Sequence, residues 1–239
     1  MVFGPGGTTL ATVADAGSSI YLWDTATGKI TATLTDPVSA GIYSVAFGQG
    51  RTLAAADASG SAYLWDTATG KITATVADQA SQGAPSVAFQ PGGTTLAAAG
   101  DNITVWNTKT GKVTATLIDP SSGGVNSVAF GPGGTTLAAA DGNGRTYLWD
   151  TASWQITATL TNPGGKAVEA AVFGPGGITL ATADVDGRAY LWDTRTGKIT
   201  ATFTDPGGSG VDSVAFGPGG TILAVGDTDG TTYLWRVTR

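Results

Sequence analysis

Aspartate is the residue type in this sequence that could most readily do chemistry, because it recurs at one fixed place. It stands eight residues before a recurring tryptophan at five positions: Asp15, Asp57, Asp141, Asp184 and Asp227. Asp184 with Asp186 matches the first carboxylates of a calcium loop, and paired carboxylates also catalyse glycoside hydrolysis. No third acidic residue follows within that turn, and a residue repeated in the same turn is typical of a scaffold. We therefore predict no metal, no cofactor and no catalytic residue, in a protein that is not an enzyme.

The composition excludes several further classes of site and partner. The chain of 239 residues has no histidine and no cysteine, which rules out a Ser–His–Asp triad, a thiol nucleophile, a disulfide, and Cys or His ligands for zinc or iron–sulfur clusters. The net charge is -6 and the basic residues form no cluster, which argues against nucleic acid. No apolar run could span a membrane, and the N-terminus is not typical of a signal peptide. We expect a cytoplasmic protein without nucleic-acid or membrane partners.

The chain is built from a repeat of about 43 residues. Six tryptophans recur at intervals of 41 to 43 residues: Trp23, Trp65, Trp106, Trp149, Trp192 and Trp235. A phenylalanine recurs in the same register: Phe3, Phe47, Phe89, Phe130, Phe173 and Phe216. The repeats are predicted to span roughly these ranges: 1–40, 41–83, 84–124, 125–167, 168–210 and 211–239.

Each repeat contains four short β-strands separated by turn residues. In the fourth repeat the runs Ser127–Phe130, Thr135–Ala140 and Arg145–Trp149 are separated by Gly-Pro-Gly-Gly and Asp-Gly-Asn-Gly, which are typical turn sequences. The fourth strand is Ile30–Leu34 and its copies, which are polar on alternate residues. A lone sheet this rich in alanine and glycine buries both faces only when it packs between neighbours. The sequence therefore predicts an all-β, single-domain β-propeller of six blades over residues 1–239, in which the six tryptophans are structural.

The last repeat has no segment for an outer strand. Residues 231–237 supply its third strand, and we expect that strand to be an exposed edge. Exposed strand edges pair readily with other chains, so these residues are predicted to support a homo-oligomer. Two rival interpretations are a piece of a larger propeller and a ring completed by a second chain.

A four-residue motif within the repeat indicates a family. Tyr-Leu-Trp-Asp occurs at 21–24, 63–66, 147–150 and 190–193, and in this four-strand frame it resembles the tryptophan–aspartate (WD) repeat family of β-propellers. The phrase LWDTATGKITATLTDP is similar to bacterial propellers attached to actinobacterial Ser/Thr kinases. The family usually carries a histidine that links the turn aspartate, a Ser or Thr and the tryptophan by hydrogen bonds. Since histidine is absent here, we expect the recurring aspartates and Ser44, Ser86, Ser127 and Ser213 to cap turns and satisfy local N–H groups.

Residues that vary inside the constant frame are the best candidates for partner binding. Five of them lie immediately before the recurring Ser or Ala of the first strand: Tyr43, Pro85, Asn126, Glu169 and Asp212. The geometry of the family implies that they surround one mouth of a central channel. The preceding loops are predicted to complete an acidic ring there with Asp36, Asp78, Asp119, Asn162, Lys166 and Asp205. Fixed loops on a rigid scaffold often bind partners, but sequence drift at solvent positions would give the same pattern.

Trp154 is a further candidate, because it occupies the place of a recurring hairpin glycine. The glycines at this position are Gly28, Gly70, Gly111 and Gly197. A tryptophan where the backbone is usually left-handed predicts a changed turn. It would act as a contact anchor for a partner, or it would lie across the next loop.

The leading hypothesis for function is a non-enzymatic scaffold that binds a protein or peptide. The kinase resemblance implies a sensor or scaffold module of a bacterial Ser/Thr kinase. The alternatives are a multivalent lectin with repeated pockets and a recently amplified or engineered array without a selected ligand. A lectin should repeat its contact residues from blade to blade. The five variable candidates differ instead: Tyr43, Pro85, Asn126, Glu169 and Asp212.

Overall fold

The strands of this protein pair into six antiparallel sheets. The computed structural model describes residues 1–13, 17–38, 40–77 and 85–237. The fold is an all-β propeller with five four-stranded blades and a last blade of three strands, as the sequence predicted. One 3-10 turn, Pro218–Gly220, is the sole helical element in these ranges, and no helix there could cross a bilayer. The single-domain assignment stays a prediction, since the chain divides into two compact units, Met1–Ile118 and Asp119–Arg239.

The first unit contains blades 1 to 3. Blade 1 has β1 (Val2–Phe3), β2 (Thr9–Val13), β3 (Ser19–Asp24) and β4 (Lys29–Thr35). Blade 2 has β5 (Ile42–Phe47), β6 (Thr52–Asp57), β7 (Ser61–Asp66) and β8 (Lys71–Ala77). Blade 3 has β9 (Val87–Phe89), β10 (Thr95–Ala98), β11 (Ile103–Asn107) and β12 (Lys112–Leu117).

The second unit contains blades 4 to 6. Blade 4 has β13 (Val125–Phe130), β14 (Thr136–Asp141), β15 (Arg145–Asp150) and β16 (Gln155–Thr161). Blade 5 has β17 (Val168–Phe173), β18 (Thr179–Asp184), β19 (Arg188–Asp193) and β20 (Lys198–Thr204). Blade 6 has β21 (Val211–Phe216), β22 (Ile222–Asp227) and β23 (Thr232–Arg236).

Side-chain size follows the position of a strand in its blade. The second strand of blade 4 carries Ala138, Ala139 and Ala140, all fully buried, because small side chains allow neighbouring sheets to approach closely. The fourth strand, β16, is exposed on most residues and keeps Leu160 buried near its end. The polar, threonine-rich strand is therefore the solvent-facing edge of the blade.

A β-bulge shapes every outer strand. The pairing of the third and fourth strands shifts just before the tryptophan, for example between Leu148 and Trp149. At each bulge, a threonine of the fourth strand donates its hydroxyl to the carbonyl of the third-strand residue directly before the tryptophan, at 3.0 to 3.2 Å. These threonines are Thr31, Thr73, Thr114, Thr157 and Thr200. The bulge disrupts the ladder, and the hydroxyl satisfies a carbonyl beside it.

Neighbouring blades inside each unit pack through one repeated apolar interface. In the second unit, Leu148 of blade 4 lies in one cluster with Leu180 and Trp192 of blade 5. In the first unit, Leu22 of blade 1 lies in one cluster with Leu53 and Trp65 of blade 2. Burial of these leucines and indoles is the main source of stability, because each removes a large apolar area from water.

Candidate interaction surface

Four of the five variable candidates are bulge residues of innermost strands. The pairing of the first and second strands skips one residue in each of these blades, and that residue is Tyr43, Asn126, Glu169 or Asp212. A bulge residue is left out of the ladder, so its side chain is re-aimed without changing the strands around it. This explains why the identity of these residues can vary while the frame repeats.

The bulge residues of the second unit form a continuous polar row. The side-chain amide of Asn126 donates to the carbonyl oxygen of Val168 at 3.1 Å and to Oε1 of Glu169 at 3.4 Å. Burial, and then the negative charge of Asp212, raise the pKa of Glu169 above its ordinary value. A carboxylate held in this way favours a ligand that offers hydrogen-bond donors or positive charge.

The candidates of the first unit are apolar and open to solvent. Tyr43 is 62% exposed, and Pro85, just before β9, is also exposed. An exposed aromatic ring supplies contact area at low cost in conformational entropy. The sequence prediction of a binding surface is thus compatible with the solvent access of these two residues, and their role stays a prediction.

The acidic ring predicted from the preceding loops is wrong for the described residues. The described aspartates and the asparagine of this set are buried: Asp36, Asp119, Asn162 and Asp205. The three aspartates close their own loops; Asp119, for example, accepts the N–H groups of Ser121 and Gly123 at 3.0 and 2.8 Å. Asp and Asn commonly close turns in this way, which competes with a role in ligand binding. Asp78 lies outside the described residues.

Lys166 forms an ion pair at the surface of blade 5. Its ammonium nitrogen is 3.6 Å from Oδ2 of Asp186, on a hairpin of blade 5, and both side chains are partly exposed. Surface ion pairs of this kind contribute little to stability, so Lys166 remains available to a partner at small cost.

The turn aspartates cap their hairpins, as predicted. Oδ1 of Asp184 accepts the N–H groups of Asp186 and Arg188 at 3.1 and 3.0 Å. Asp57, Asp141 and Asp227 accept N–H groups of their turns in the same manner, and Asp15 lies outside the described residues. In the last blade, hydrogen bonds led by the Thr231 hydroxyl lower the pKa of Asp229 to about 2.

These turn carboxylates do not assemble a cation site. Among the described residues, no group of three or more Asp, Glu, His or Cys could hold a metal ion. In the calcium-like pairs, Oδ1 of Asp184 and Oδ1 of Asp227 instead accept N–H groups of their own turns, and Asp186 pairs with Lys166.

The predicted change of the hairpin turn at Trp154 is wrong. Trp154 adopts φ 54°, close to the φ of 66° at Gly197, the matching glycine of the next blade. Its N–H donates to the carbonyl of Asp150 at 2.8 Å, just as that of Gly197 donates to Asp193 at 2.9 Å. The left-handed conformation costs a bulky residue free energy, so the turn is kept at the expense of local strain. The indole is half-buried.

Comparison with protein families identifies the repeat. A family model for the WD domain, G-beta repeat (WD40) matches residues 111–150, 154–193 and 197–236, just over half of the chain. The chain belongs to the WD40 family. WD40 propellers are typically non-enzymatic scaffolds that bind proteins or peptides. No curated protein matches the chain.

This WD40 propeller replaces the usual histidine-centred network with separate pairs. The indole N–H of Trp23 donates to the Thr12 hydroxyl at 2.8 Å, and that of Trp192 donates to the Thr182 hydroxyl at 2.9 Å. The indole N–H groups of Trp106 and Trp149 are buried without a partner among the described residues. A threonine on the second strand therefore distinguishes a blade whose indole N–H has a hydroxyl acceptor from one whose indole N–H has none among the described residues.

Two of the recurring serines of this WD40 chain, Ser44 and Ser127, act between blades rather than locally, which corrects the prediction for these two. Oγ of Ser44 accepts the N–H of Val87 at 3.2 Å, and Oγ of Ser127 accepts the N–H of Ala171 at 3.1 Å. Each acceptor and donor lie one repeat apart in sequence. Sequence reasoning had the right residues but missed the partner, because a serine that precedes an apolar strand is also typical of a local cap.

Proposed function

We propose that this WD40 propeller is a non-enzymatic scaffold that binds extended peptide or protein segments through the inner-strand bulge residues of each unit. The observation that carries the proposal is the placement of Tyr43, Asn126, Glu169 and Asp212 at bulges, where side chains are re-aimed and free to differ. Pro85 and Lys166 extend the surface of their respective units, and Trp154 is proposed as an additional contact anchor.

The chemistry of the second unit indicates the kind of peptide. Glu169 and Asp212 are acidic neighbours, and the chain as a whole carries a net charge of -6. A segment with lysine, arginine or free amide groups would complement this row. Charged rims steer encounter and select partners more than they add affinity.

Three finer assignments belong to this proposal. The resemblance of the repeat phrase to kinase-attached propellers supports a sensor or scaffold module of a bacterial Ser/Thr kinase. A cytoplasmic location stays a prediction. We also propose that residues 231–237, which include the edge strand β23, support self-association.

A lectin is the competing proposal, and the bulge residues disfavour it. A multivalent lectin would repeat its contact residues from blade to blade, whereas Tyr43, Asn126, Glu169 and Asp212 all differ. An amplified or engineered array without a selected ligand predicts that no peptide is preferred.

A displayed random-peptide library tests the proposal. Peptides selected on the wild-type protein should include some that lose most of their binding to Tyr43→Ala and others that lose it to Glu169→Gln, and basic residues should be enriched in the second group. Val113→Ala, at an exposed position of outer strand β12, is the matched control and should bind like the wild type. Selected peptides that bind all of these proteins equally, or a failure to enrich any peptide, would contradict the proposal. Binding to immobilised glycans instead would support the lectin.

The variants must also remain folded for this test to be valid. Tyr43→Ala and Glu169→Gln are expected to leave the melting temperature almost unchanged, because neither side chain is in the core. Trp154→Gly should weaken peptide binding while raising the melting temperature, since glycine adopts the left-handed turn without strain. Unfolding of Tyr43→Ala would show that the residue is structural.

A further inference from the structure

A serine hydroxyl joins two buried carboxylates in blade 4. Oγ of Ser121, in the loop before β13, donates to Oδ2 of Asp141 at 2.6 Å and lies 3.1 Å from Oδ1 of Asp119. Oδ1 of Asp141 is already occupied by the N–H groups of Asn143 and Arg145, in its own hairpin. One hydroxyl oxygen at this place is therefore enough to satisfy the second oxygen of the turn aspartate.

Blade 5 repeats the backbone of this loop without the hydroxyl. Asn162, Gly164 and Asp184 each stand one repeat after the three residues of that contact. Gly165 has φ 60°, and Ser122, its counterpart in blade 4, has φ 55°. The N–H of each of these two residues donates to the carbonyl three residues earlier, at 2.9 and 3.2 Å. The two loops therefore share one turn, and Gly164 lacks the hydroxymethyl group of its counterpart.

Two buried polar atoms of blade 5 have no partner among the described residues. They are Nδ2 of Asn162 and Oδ2 of Asp184, whose residues are 2% and 0% exposed. Their counterparts in blade 4 contact the same hydroxyl, so both residues flank one place beside Gly164. The first atom is a hydrogen-bond donor and the second is an acceptor. Buried polar groups in proteins are nearly always hydrogen-bonded, which favours a bound partner here.

Gly164 leaves room for such a partner. If this glycine carried a Cβ, the nearest atom, Nη1 of Arg188, would lie at 3.7 Å, an ordinary van der Waals contact. The matching glycine of blade 6, Gly207, is more crowded. A Cβ there would lie only 3.3 Å from Oδ1 of Asp205 and from Oδ2 of Asp229. The space beside the loop glycine is therefore a feature of blade 5 rather than of every blade.

We propose that blade 5 binds one buried water molecule in a loop pocket formed by Asn162, Gly164 and Asp184. The water oxygen takes the place of the serine hydroxyl of blade 4. It accepts a hydrogen bond from Nδ2 of Asn162 and donates one to Oδ2 of Asp184. The amide donor disfavours a cation and the carboxylate disfavours an anion, whereas water donates and accepts at once. The bound water thus links the loop before blade 5 to a hairpin of that blade.

A tyrosine supplies a third polar group beside the loop pocket. Burial, and then the negative charge of Asp184, raise the pKa of Tyr190, so its phenol lies near this carboxylate. In blade 4, burial raises the pKa of Tyr147, and a hydrogen bond with Ser121 opposes that effect. An oxygen at the serine position is therefore within reach of the tyrosine. Buried waters in proteins typically have about three hydrogen-bond partners.

Crystallography and NMR spectroscopy of the wild-type protein test the site directly. A high-resolution crystal structure should show one ordered water within hydrogen-bonding distance of Nδ2 of Asn162 and Oδ2 of Asp184. In solution, the side-chain amide protons of Asn162 should show cross-relaxation with a long-lived water. A direct bond between these two side chains, or occupation of the place by Arg188, would overturn the inference.

A pair of substitutions at one position separates the role of the oxygen from that of the added carbon. Gly164→Ser supplies the hydroxyl covalently, so the water and its cross-relaxation with Asn162 should be lost. Gly164→Ala adds the same Cβ without an oxygen and displaces the water, because a water molecule cannot lie at bonding distance from carbon. Both substitutions restrict the unfolded chain in a similar way, so the melting temperature of Gly164→Ser should exceed that of Gly164→Ala.

The reciprocal substitution in blade 4 should create the same site. In crystals of Ser121→Gly, one water should appear beside Oδ2 of Asp141, where the serine hydroxyl stood. Equal melting temperatures of Gly164→Ser and Gly164→Ala would overturn the inference. Persistence of the Asn162 cross-relaxation in Gly164→Ser would also overturn it.

The variants are expected to fold, because a Cβ fits at Gly164 without a close contact. Circular dichroism and the thermal transition of each variant check this. If Gly164→Ser loses its transition, the wild-type crystal and the Ser121→Gly crystal decide the question. Peptide binding through Tyr43 and Glu169 does not use the loop pocket, so a failure here leaves the scaffold proposal unaffected.

Discussion

Blades 4 and 5 have the same strand order and register, and each leaves a different buried polar group without a partner. In blade 4, Oδ2 of Asp141 accepts the Ser121 hydroxyl at 2.6 Å, while the indole N–H of Trp149 has no partner among the described residues. In blade 5, the indole N–H of Trp192 donates to Thr182, while Oδ2 of Asp184 has none in that part of the chain.

Single residues at matched positions account for the difference. Ala139 pairs with Tyr147 at the register where Thr182 pairs with Tyr190, so only blade 5 has a hydroxyl beside its indole. Ser121 follows Asp119 by two residues, and the matching residue of blade 5 is Gly164, which has no hydroxyl for Asp184. Without the family's histidine, no single side chain links the turn aspartate to the tryptophan. Blade 4 therefore satisfies the carboxylate of its aspartate, and blade 5 satisfies the N–H of its indole.

Removal of an indole is the largest change that the comparison predicts. Trp149→Ala should lower the free energy of unfolding by about 3–5 kcal/mol, because it leaves a large cavity between blades. Trp192→Ala should cost more than Trp149→Ala, since it also deprives the Thr182 hydroxyl of its partner. Urea denaturation followed by circular dichroism measures both values. Equal costs would show that the Trp192 hydrogen bond adds no net stability.

Loss of the threonine hydroxyl is expected to have the next largest effect. Thr182→Ala should destabilise the protein by about 1–2 kcal/mol, because it leaves a buried indole N–H unsatisfied. Thr182→Ser keeps the hydroxyl and is the matched control, which should retain most of that stability. If the serine variant is as unstable as the alanine variant, packing of the methyl group rather than the hydrogen bond is responsible.

Introduction of a threonine hydroxyl into blade 4 should raise the free energy of unfolding. Ala139→Thr is expected to stabilise the protein by about 1 kcal/mol, since it offers Trp149 the acceptor that Trp192 already has. Ala139→Val adds similar volume without a hydroxyl and should be neutral or destabilising in this tightly packed strand. Stabilisation by both variants would indicate a filled cavity instead.

The unsatisfied carboxylate of blade 5 should produce the smallest effect, visible as a pH dependence. Burial raises the pKa of Asp184 above its unfolded value. Ionisation is therefore disfavoured in the folded state, and the wild type loses stability as pH rises through the folded pKa. Asp184→Asn does not titrate, so its stability relative to the wild type should be higher at pH 7 than at pH 4. Urea midpoints at the two pH values measure this, and no change between them would contradict the assignment.

The repeat, the strand order and the three-stranded last blade follow from the sequence, because the period and the turn residues occur in nearly every copy. The turn at Trp154 was mispredicted because the hairpin bonds of Asp150 outweigh the strain of one left-handed residue. The loop aspartates were mispredicted because sequence does not separate a solvated carboxylate from one that closes its own turn.

The hydrogen bonds that serines accept between blades affect how fast backbone amides exchange with deuterium. The N–H of Ala171 is held by Ser127 of the preceding blade, so its exchange with deuterium requires the two inner strands to separate or the serine to turn away. The matching amide in blade 6 belongs to Val214, and the matching side chain of blade 5 is Ala170, which has no oxygen to accept it. Deuterium uptake at Val214 should therefore be faster than uptake at Ala171. The exchange rates of the two amides would then report how readily successive blades separate.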